Sequence, residues 1–529
     1  MGDWSLYFFA KLCLYYGGFI GFHWLPNLVF AIVLAFPLEV PLVRRARTVL
    51  AIPLAIVLLY YDSWLPSFGR VASQAGALLE FDRGYLLELL GRFVNPYVLA
   101  GMIFLTVAHL LLRQRVRLAT FAFAGILSVP LAALIGSWQI GGAPDANRPA
   151  AASASASVSA SASASASAPA LLEPSAQLEA FYAAERQRRV ALPSIRGSRA
   201  PFDVVLLHVC SLSWDDLAYL GESGQPLLNR FDAVFRQFNA ASTYSGPSIL
   251  RVLRSTCGQA RHDEMYQGVA NECSLIHNFD VAGFEVHGLL NHNGEFDNFA
   301  RTLRGYGGLR QGLDDNRHAP EAMRAFDNSP VYADGPLLAG WLQQHGKSAR
   351  PLALYYNTIT LHDGNRVPGA GSSSTLATFK PRLTRLLADL DRFISQLEQR
   401  GRPVVVLFVP EHGAGLRGDR MQIAGMREIP SPAVTLVPAA VKLIGAKQAA
   451  TAQPLVVDKP LSHFALGTLL AGFVADNPFA GDGGQPLAQR LQALPETPFV
   501  SENANIVVMR RGDGYLMRSP AGNWTAFKP

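Results

Sequence analysis

Two short runs decide the fold: DVVLLHV at Asp203–Val209 and PVVVLFV at Pro403–Val409. Both are continuous stretches of β-branched and apolar side chains. Such runs suit strands buried on both faces of a mainly parallel sheet. Leu376–Gln399 reads as a long amphipathic helix feeding the second run, and Val281–Leu289 and Leu352–Tyr356 are weaker strand candidates. Strand-helix alternation from residue 201 onward predicts an α/β sheet with helices on both faces. In such sheets the chemistry lies beyond the carboxyl ends of the strands.

That rule directs attention to the residues just past each strand. Cys210 comes directly after DVVLLHV, and Glu411 and His412 come after PVVVLFV and one proline. Ser245 stands in TYSGPSILRVLRSTCG, where Pro247 suits the first turn of a helix. A serine there meets free backbone N–H groups and the positive end of the helix dipole, which favour an alkoxide or a phosphoryl oxygen. Thiolate, imidazole and carboxylate together suit a tetrahedral zinc, which would lower the serine hydroxyl pKa and create a nucleophile. Taken one at a time, each residue also has an ordinary reading. Cys210 could be a core thiol, Ser245 a helix cap, and the Glu-His pair part of a loop. His362, in LHDGN after the Leu352–Tyr356 strand, suits a proton donor, a phosphate ligand or a backbone-bonded turn.

The first 140 residues are of another kind. Apolar runs at Leu6–His23, Trp24–Val43, Thr48–Leu65, Tyr97–Leu112 and Leu118–Trp138 approach the ~20 residues a bilayer-crossing helix needs. They account for a mean hydropathy of +0.17 over the chain. Arg44, Arg45 and Arg47 separate the second and third runs, and Arg113, Arg115 and Arg117 the fourth and fifth. Both loops are therefore expected to be cytoplasmic, which places everything after Trp138 outside. In the outer loop 66–96, Leu78, Leu79, Tyr85, Leu86, Leu89 and Leu90 form one helical face, suited to lying on a membrane or packing between spans. Ala152–Ala170 alternates alanine and serine, buries too little to order itself, and reads as a tether. A helix-like stretch, Leu178–Val190, comes next. The expected domains are 1–140 (transmembrane), 141–200 (linker and connecting helix) and 201–529 (catalytic). A formal charge of +6 spread over 529 residues is no footprint for nucleic acid.

The segments HVCSLSWDD, ASTYSGPSILRVLRSTCGQ, YYNTITLHDGN, PEHGAGLRGDRMQIAGMREIPSP and PFVSENAN occur in this order. Together they resemble the cellulose phosphoethanolamine transferases of bacterial cellulose secretion, the BcsG family, within the alkaline phosphatase and sulfatase-like superfamily. The resemblance covers residues 203–529. It implies an alkaline-phosphatase-like α/β domain in the periplasm behind about five inner-membrane helices. It implies transfer of phosphoethanolamine from phosphatidylethanolamine to hydroxyls of cellulose, beside the cellulose synthase subunits. One zinc would be held by Cys210, Ser245, Glu411 and His412. Ser245 would be the nucleophile, His362 a substrate-side acid, and Arg427 a phosphate-side group.

Cys257 and Cys273 fall on the outer side, where an oxidising compartment favours a disulfide between them. A sulfatase is disfavoured, because Ile249 stands where that class's Cys/Ser-x-Pro-x-Arg pattern places arginine. A relative acting on lipid A or another envelope glycan, and a membrane scaffold of the synthase, remain as alternatives.

Overall fold

The two quoted runs are neighbouring strands. In the computed structural model, β1 (Asp203–Cys210) lies parallel between β6 (Leu352–Thr358) and β7 (Val404–His412). The structure describes residues 4–17, 19–63, 81–93, 96–113, 115–140, 173–196, 201–370, 374–419, 421–446, 453–481, 484–520 and 522–529. The Ala/Ser tether lies outside them, as do Leu78 and Leu79. The chain divides into two compact units, Met1–Leu65 with Val94–Glu173, and Pro66–Phe93 with Pro174–Pro529. These cut the chain differently from the expected domains in two places. The outer-loop segment and the connecting helix both fall in the second unit.

The first unit contains α1 (Trp4–Tyr16), α2 (Trp24–Ala35), α3 (Pro41–Asp62), α5 (Pro96–Leu112) and α6 (Leu118–Ile140). Five helices thus occupy the five expected stretches, with shorter reach than expected in the first two. Among the described residues, no single helix is long and apolar enough to cross a membrane. Local chemistry explains the early ends. Gly17 and Gly18 come after α1, Pro37 after α2, and α3 spends its first turns on Arg44, Arg45 and Arg47. The unit's outer faces are apolar: Ile56 is 64% exposed, Phe104 74% and Leu111 69%. Inside, Lys11 Nζ lies 2.5 Å from Asp62 and donates to Asn27, while His23 Nδ1 lies 2.7 Å from the same carboxylate. A buried ammonium and carboxylate are tolerable only because each is paired and hydrogen-bonded.

The second unit is built on a seven-stranded sheet in the order β3-β6-β1-β7-β8-β2-β9. Here β2 is Ala233–Asn239, β3 Glu285–Leu290, β8 Leu436–Ile444 and β9 Leu455–Val457. Only β8 runs against the others, so the expected mainly parallel sheet is observed. β3 starts later than expected, because Val281 and Ala282 finish the preceding helix and Gly283 caps it with φ +109°. One face is covered by α10 (Phe379–Arg400), which buries Leu383, Leu386, Leu390, Phe393 and Leu397. The other is covered by α9 (Ser245–Leu253) and the helices Leu275–Ala282 and His463–Ala475. α7 (Pro174–Glu185) packs Leu178, Phe181 and Tyr182 on the small sheet that contains Val500, Val507 and Met509. The segment from the outer loop forms α4 (Arg83–Phe93) and packs against the β4–β5 hairpin (Glu321–Arg324, Pro330–Tyr332), not as an isolated surface helix.

Cys257 and Cys273 form a disulfide across a separation of 16 residues. Reducing it, or replacing both cysteines with serine, is expected to lower unfolding free energy by about 3 kcal/mol on the loop-entropy argument. Urea unfolding of the oxidised and reduced protein measures this. A second effect concerns acid. His292 is buried, faces Asn357 Oδ1 through Nε2, and accepts from Gly294 N at Nδ1. Burial lowers its pKa from 6.5 to about 4. The unfolded chain therefore binds a proton that the folded chain refuses between those values, so stability should fall as pH drops from 6.5 toward 4. Replacing His292 with Gln should shallow that slope in urea titrations repeated across the window.

Candidate active site

The site sits at the carboxyl edge of the sheet. Glu411 and His412 are consecutive residues, and on a regular strand their side chains would point to opposite faces. Here the β1–β7 ladder shifts: Val209 pairs with Pro410, but Cys210 pairs with His412. An extra residue on one strand of a pair re-aims side chains in this way. As a result the Sγ of Cys210, a carboxylate oxygen of Glu411 and an imidazole nitrogen of His412 lie within 4.8 Å of one another, all buried. Ser245 opens α9, and its Oγ lies 3.4 Å from Cys210 Sγ. The helix is seated from beneath by Ser248 Oγ, which donates to the Glu411 carbonyl.

The tautomer of His412 is set by its neighbours. Nδ1 faces the Gly413 carbonyl at 2.9 Å and so carries the proton, leaving the Nε2 lone pair 4.0 Å from Cys210 Sγ and 3.7 Å from Glu411 Oε2. Glu411 Oε1 accepts from Asn357 Nδ2 at 2.6 Å, while Oε2 is buried with no partner. Burial pushes the Cys210 thiol up to about 12, raises the Glu411 carboxyl and depresses His412. The thiol and the carboxyl thus resist the ionised states in which they are good ligands, the imidazole is held neutral, and one acceptor is orphaned. A metal ion compensates these costs at once, and a thiol, a carboxylate, an Nε2 and a hydroxyl form a suitable donor set. A second group, Glu285, His287 and His345, lies at the opposite, amino-terminal end of β3. His287 there already bridges Glu285 and Asp314 at 3.1 and 3.0 Å.

Arg427 reaches the same pocket. Its Nη1 lies 3.3 Å from His412 Nδ1 and 3.4 Å from Ser211 Oγ, and its guanidinium stands over the Tyr244 ring. His362 is half-buried, with Nδ1 facing the Asp363 carbonyl at 2.6 Å and its ring stacked on Phe326. Burial, then the charge of Arg427, lowers its pKa to about 4, so at neutral pH it is an uncharged imidazole. Arg251 is not available as a sulfatase-type arginine. It is buried and bonded to Glu502 and the Ala260 carbonyl.

Two supporting residues escape a reading of the sequence. Asp216 accepts from Ser213 and from the amides of Ala414 and Leu416, which ties the loop after His412 to the loop after Cys210. Its capping-box partner three residues earlier, Ser213 in SLSWD, is a readable signal. Asn357 offers none, since an asparagine ending a strand has many ordinary uses.

Fold and site together place a buried cluster of a thiol, a carboxylate and an imidazole, with Ser245 Oγ beside it, at the carboxyl edge of a mixed α/β sheet, on one chain with an apolar helical unit. Comparison with known proteins gives the family. The model for the cellulose biosynthesis protein BcsG C-terminal domain matches residues 158–524, and that for the BcsG N-terminal domain matches residues 4–131. The cellulose biosynthesis proteins BcsG of Salmonella typhimurium and Escherichia coli are each 36% identical, with 100% of this chain and 96% of theirs covered. The chain belongs to the BcsG family. Among solved structures, an alkaline phosphatase superfamily protein from Vibrio parahaemolyticus aligns with 67% of this chain and 88% of its own, at 14% identity and a TM-score of 0.48. The integral membrane lipooligosaccharide phosphoethanolamine transferase A from Neisseria meningitidis aligns with 85% of this chain and 87% of its own, at 15% identity and a TM-score of 0.44.

If the Asn357 hydrogen bond orients Glu411 toward a metal ion, Asn357→Ala should weaken divalent-metal affinity by about 10–100-fold, as loss of such supporting bonds does elsewhere. Competition against a chromogenic chelator measures it. An unchanged affinity would exclude an orienting role for Asn357.

Proposed function

We propose that this chain is an inner-membrane, zinc-dependent phosphoethanolamine transferase that moves phosphoethanolamine from phosphatidylethanolamine to glucosyl hydroxyls of secreted cellulose. The observation that carries the reading is Ser245 Oγ at a helix amino terminus, 3.4 Å from Cys210 Sγ in the pocket of Glu411 and His412. Family membership supports the cellulose acceptor and the phosphoethanolamine group. The apolar outer faces of the helical unit support a membrane location and a lipid donor. In this reading, the catalytic unit works in the periplasm, and the helical unit also meets the synthase subunits.

A zinc ion held by Cys210, Ser245, Glu411 and His412 would supply Lewis acidity, lowering the Ser245 hydroxyl pKa and neutralising a buried thiolate and carboxylate. The chain's own groups do the rest. Ser245 Oγ attacks the donor phosphorus, the bond to the diacylglycerol oxygen breaks, and a phosphoethanolamine-serine ester forms. Arg427, beside His412, neutralises charge on the phosphoryl oxygens. His362 enters as a neutral imidazole with Nδ1–H committed to the Asp363 carbonyl, so Nε2 is open. It takes up a proton released on attack and returns it to the departing diacylglycerol oxygen. In the second half a glucosyl hydroxyl attacks the ester phosphorus and passes its proton to His362, the bond from phosphorus to Ser245 Oγ breaks, and His362 returns the proton to the departing Oγ, regenerating Ser245 and the neutral imidazole.

The test uses the full chain, zinc-loaded, in nanodiscs containing phosphatidylethanolamine. Intact-mass spectrometry should find a phosphoethanolamine adduct on the wild type and none on Ser245→Ala, with transfer to cello-oligosaccharides reduced by roughly a thousandfold or more. Undiminished transfer by Ser245→Ala would overturn the covalent scheme.

A further inference from the structure

The helix α4 is joined by chain to α3 on one side and α5 on the other, yet its polar face is spent on the catalytic unit. Arg92 grips Asp363 with both nitrogens, Nη1 to Oδ2 at 2.7 Å and Nη2 to Oδ1 at 2.9 Å. Tyr85 Oη donates to the same carboxylate, and Glu88 accepts from Arg92 and from Thr375 N and Oγ1. Only 11% of the Arg92 side chain and 12% of that of Asp363 is exposed. Just before the helix, Asp82 N donates to the Phe326 carbonyl, and the Asp82 carboxylate pairs with Arg366. The rings of Phe81 and Tyr85 pack on Phe326, the ring that stacks on His362.

These contacts converge on the two loops that carry His362 and Arg427. Asp363 is the residue whose carbonyl holds His362 Nδ1, so fixing its carboxylate fixes the peptide that orients the imidazole. Gly364 has φ +82°, and a Cβ there would lie 2.5 Å from Phe326 and 2.9 Å from the Tyr85 ring. Gly425, two residues before Arg427, has φ +85°, and a Cβ there would lie 2.6 Å from Arg92 Nη1. Both loops are therefore reduced to backbone where α4 meets them. A buried, bidentate arginine-carboxylate pair costs desolvation and is weak evidence for stability alone. Its geometric specificity suits a positioning task.

We propose that Arg92 is a positioning residue for the transfer reaction, supplied by the loop between α3 and α5, and that it holds His362 and the Arg427 loop in reactive geometry through Asp363. The inference rests on the transferase reading above. It makes the catalytic unit incomplete without a segment threaded from among the apolar helices.

The experiment uses the full chain in phosphatidylethanolamine nanodiscs. Arg92→Ala should lower kcat by about 10–100-fold, the cost of a misplaced catalytic group, with lipid KM within about twofold of wild type. Zinc content should be unchanged. Arg92→Lys should recover only part of the rate, because an ammonium cannot form the two-pronged contact. Asp363→Asn should be impaired similarly, and the double variant should be no worse than the poorer single one. A kcat for Arg92→Ala within about twofold of wild type, or singles whose effects multiply, would overturn the proposal. Should the wild type form no phosphoethanolamine adduct, the transferase reading fails by itself. The clamp is then judged by amide exchange in peptides covering 360–366 and 424–428, faster in Arg92→Ala if it stands and unchanged if it does not.

Discussion

The structure depends on a single misfit between two strands. A regular β7 would send Glu411 to one face of the sheet and His412 to the other, and no ion could touch both. The shift that pairs Cys210 with His412 removes that conflict. It also sets where α9 must begin, since Ser245 has to meet the same point from above. The helix is held there by Ser248 on the Glu411 carbonyl, so the strand irregularity and the helix start are built as one piece. Six co-directional strands then serve as a rigid base that delivers the reactive side chains to one edge.

The cost of this arrangement is electrostatic. A thiol, a carboxylate and several imidazoles are taken out of water, and burial drives each toward its neutral form. The carboxylates elsewhere in the unit show how such costs are normally met. Asp216 is surrounded by amides and Ser213, and Asp334 by Tyr356, Thr360 and Asn291. Glu411, in the pocket, has one oxygen served by Asn357 and the other left open. An unsatisfied buried carboxylate oxygen that faces a thiol, an imidazole and a hydroxyl is placed to accept a ligand.

The parts legible in the sequence are those with a strong local signature. β1 and β7 announce themselves by composition, α10 by its period and its terminal Gly401, and Cys210, Glu411 and His412 by directly following strands. The helical unit is legible in number but not in length, because glycine, proline and arginine end α1, α2 and the apolar part of α3 sooner than a running hydropathy suggests. Asn357 and Asp216 are invisible as site residues, since their importance lies in what they bond to across the fold. The role of α4 is hidden for a related reason. Of the expected face, Tyr85 and Leu89 pack against the hairpin while Leu90 stays exposed, and an apolar face does not say what covers it.

The position of α4 also bears on why two such different units share a chain. The stretch Phe81–Phe93 contributes Tyr85, Glu88 and Arg92 to the wall around His362 while leaving Leu87 and Leu90 exposed. One helix thus carries a polar face bonded to the loops around Asp363 and two exposed leucines on its other side. Chain connectivity, rather than affinity, guarantees its local concentration. The Ala/Ser stretch carries only methyl and hydroxymethyl side chains apart from Val158 and Pro169, whereas the segment between α3 and α5 brings Arg92 to the carboxylate of Asp363, the residue whose carbonyl faces His362 Nδ1.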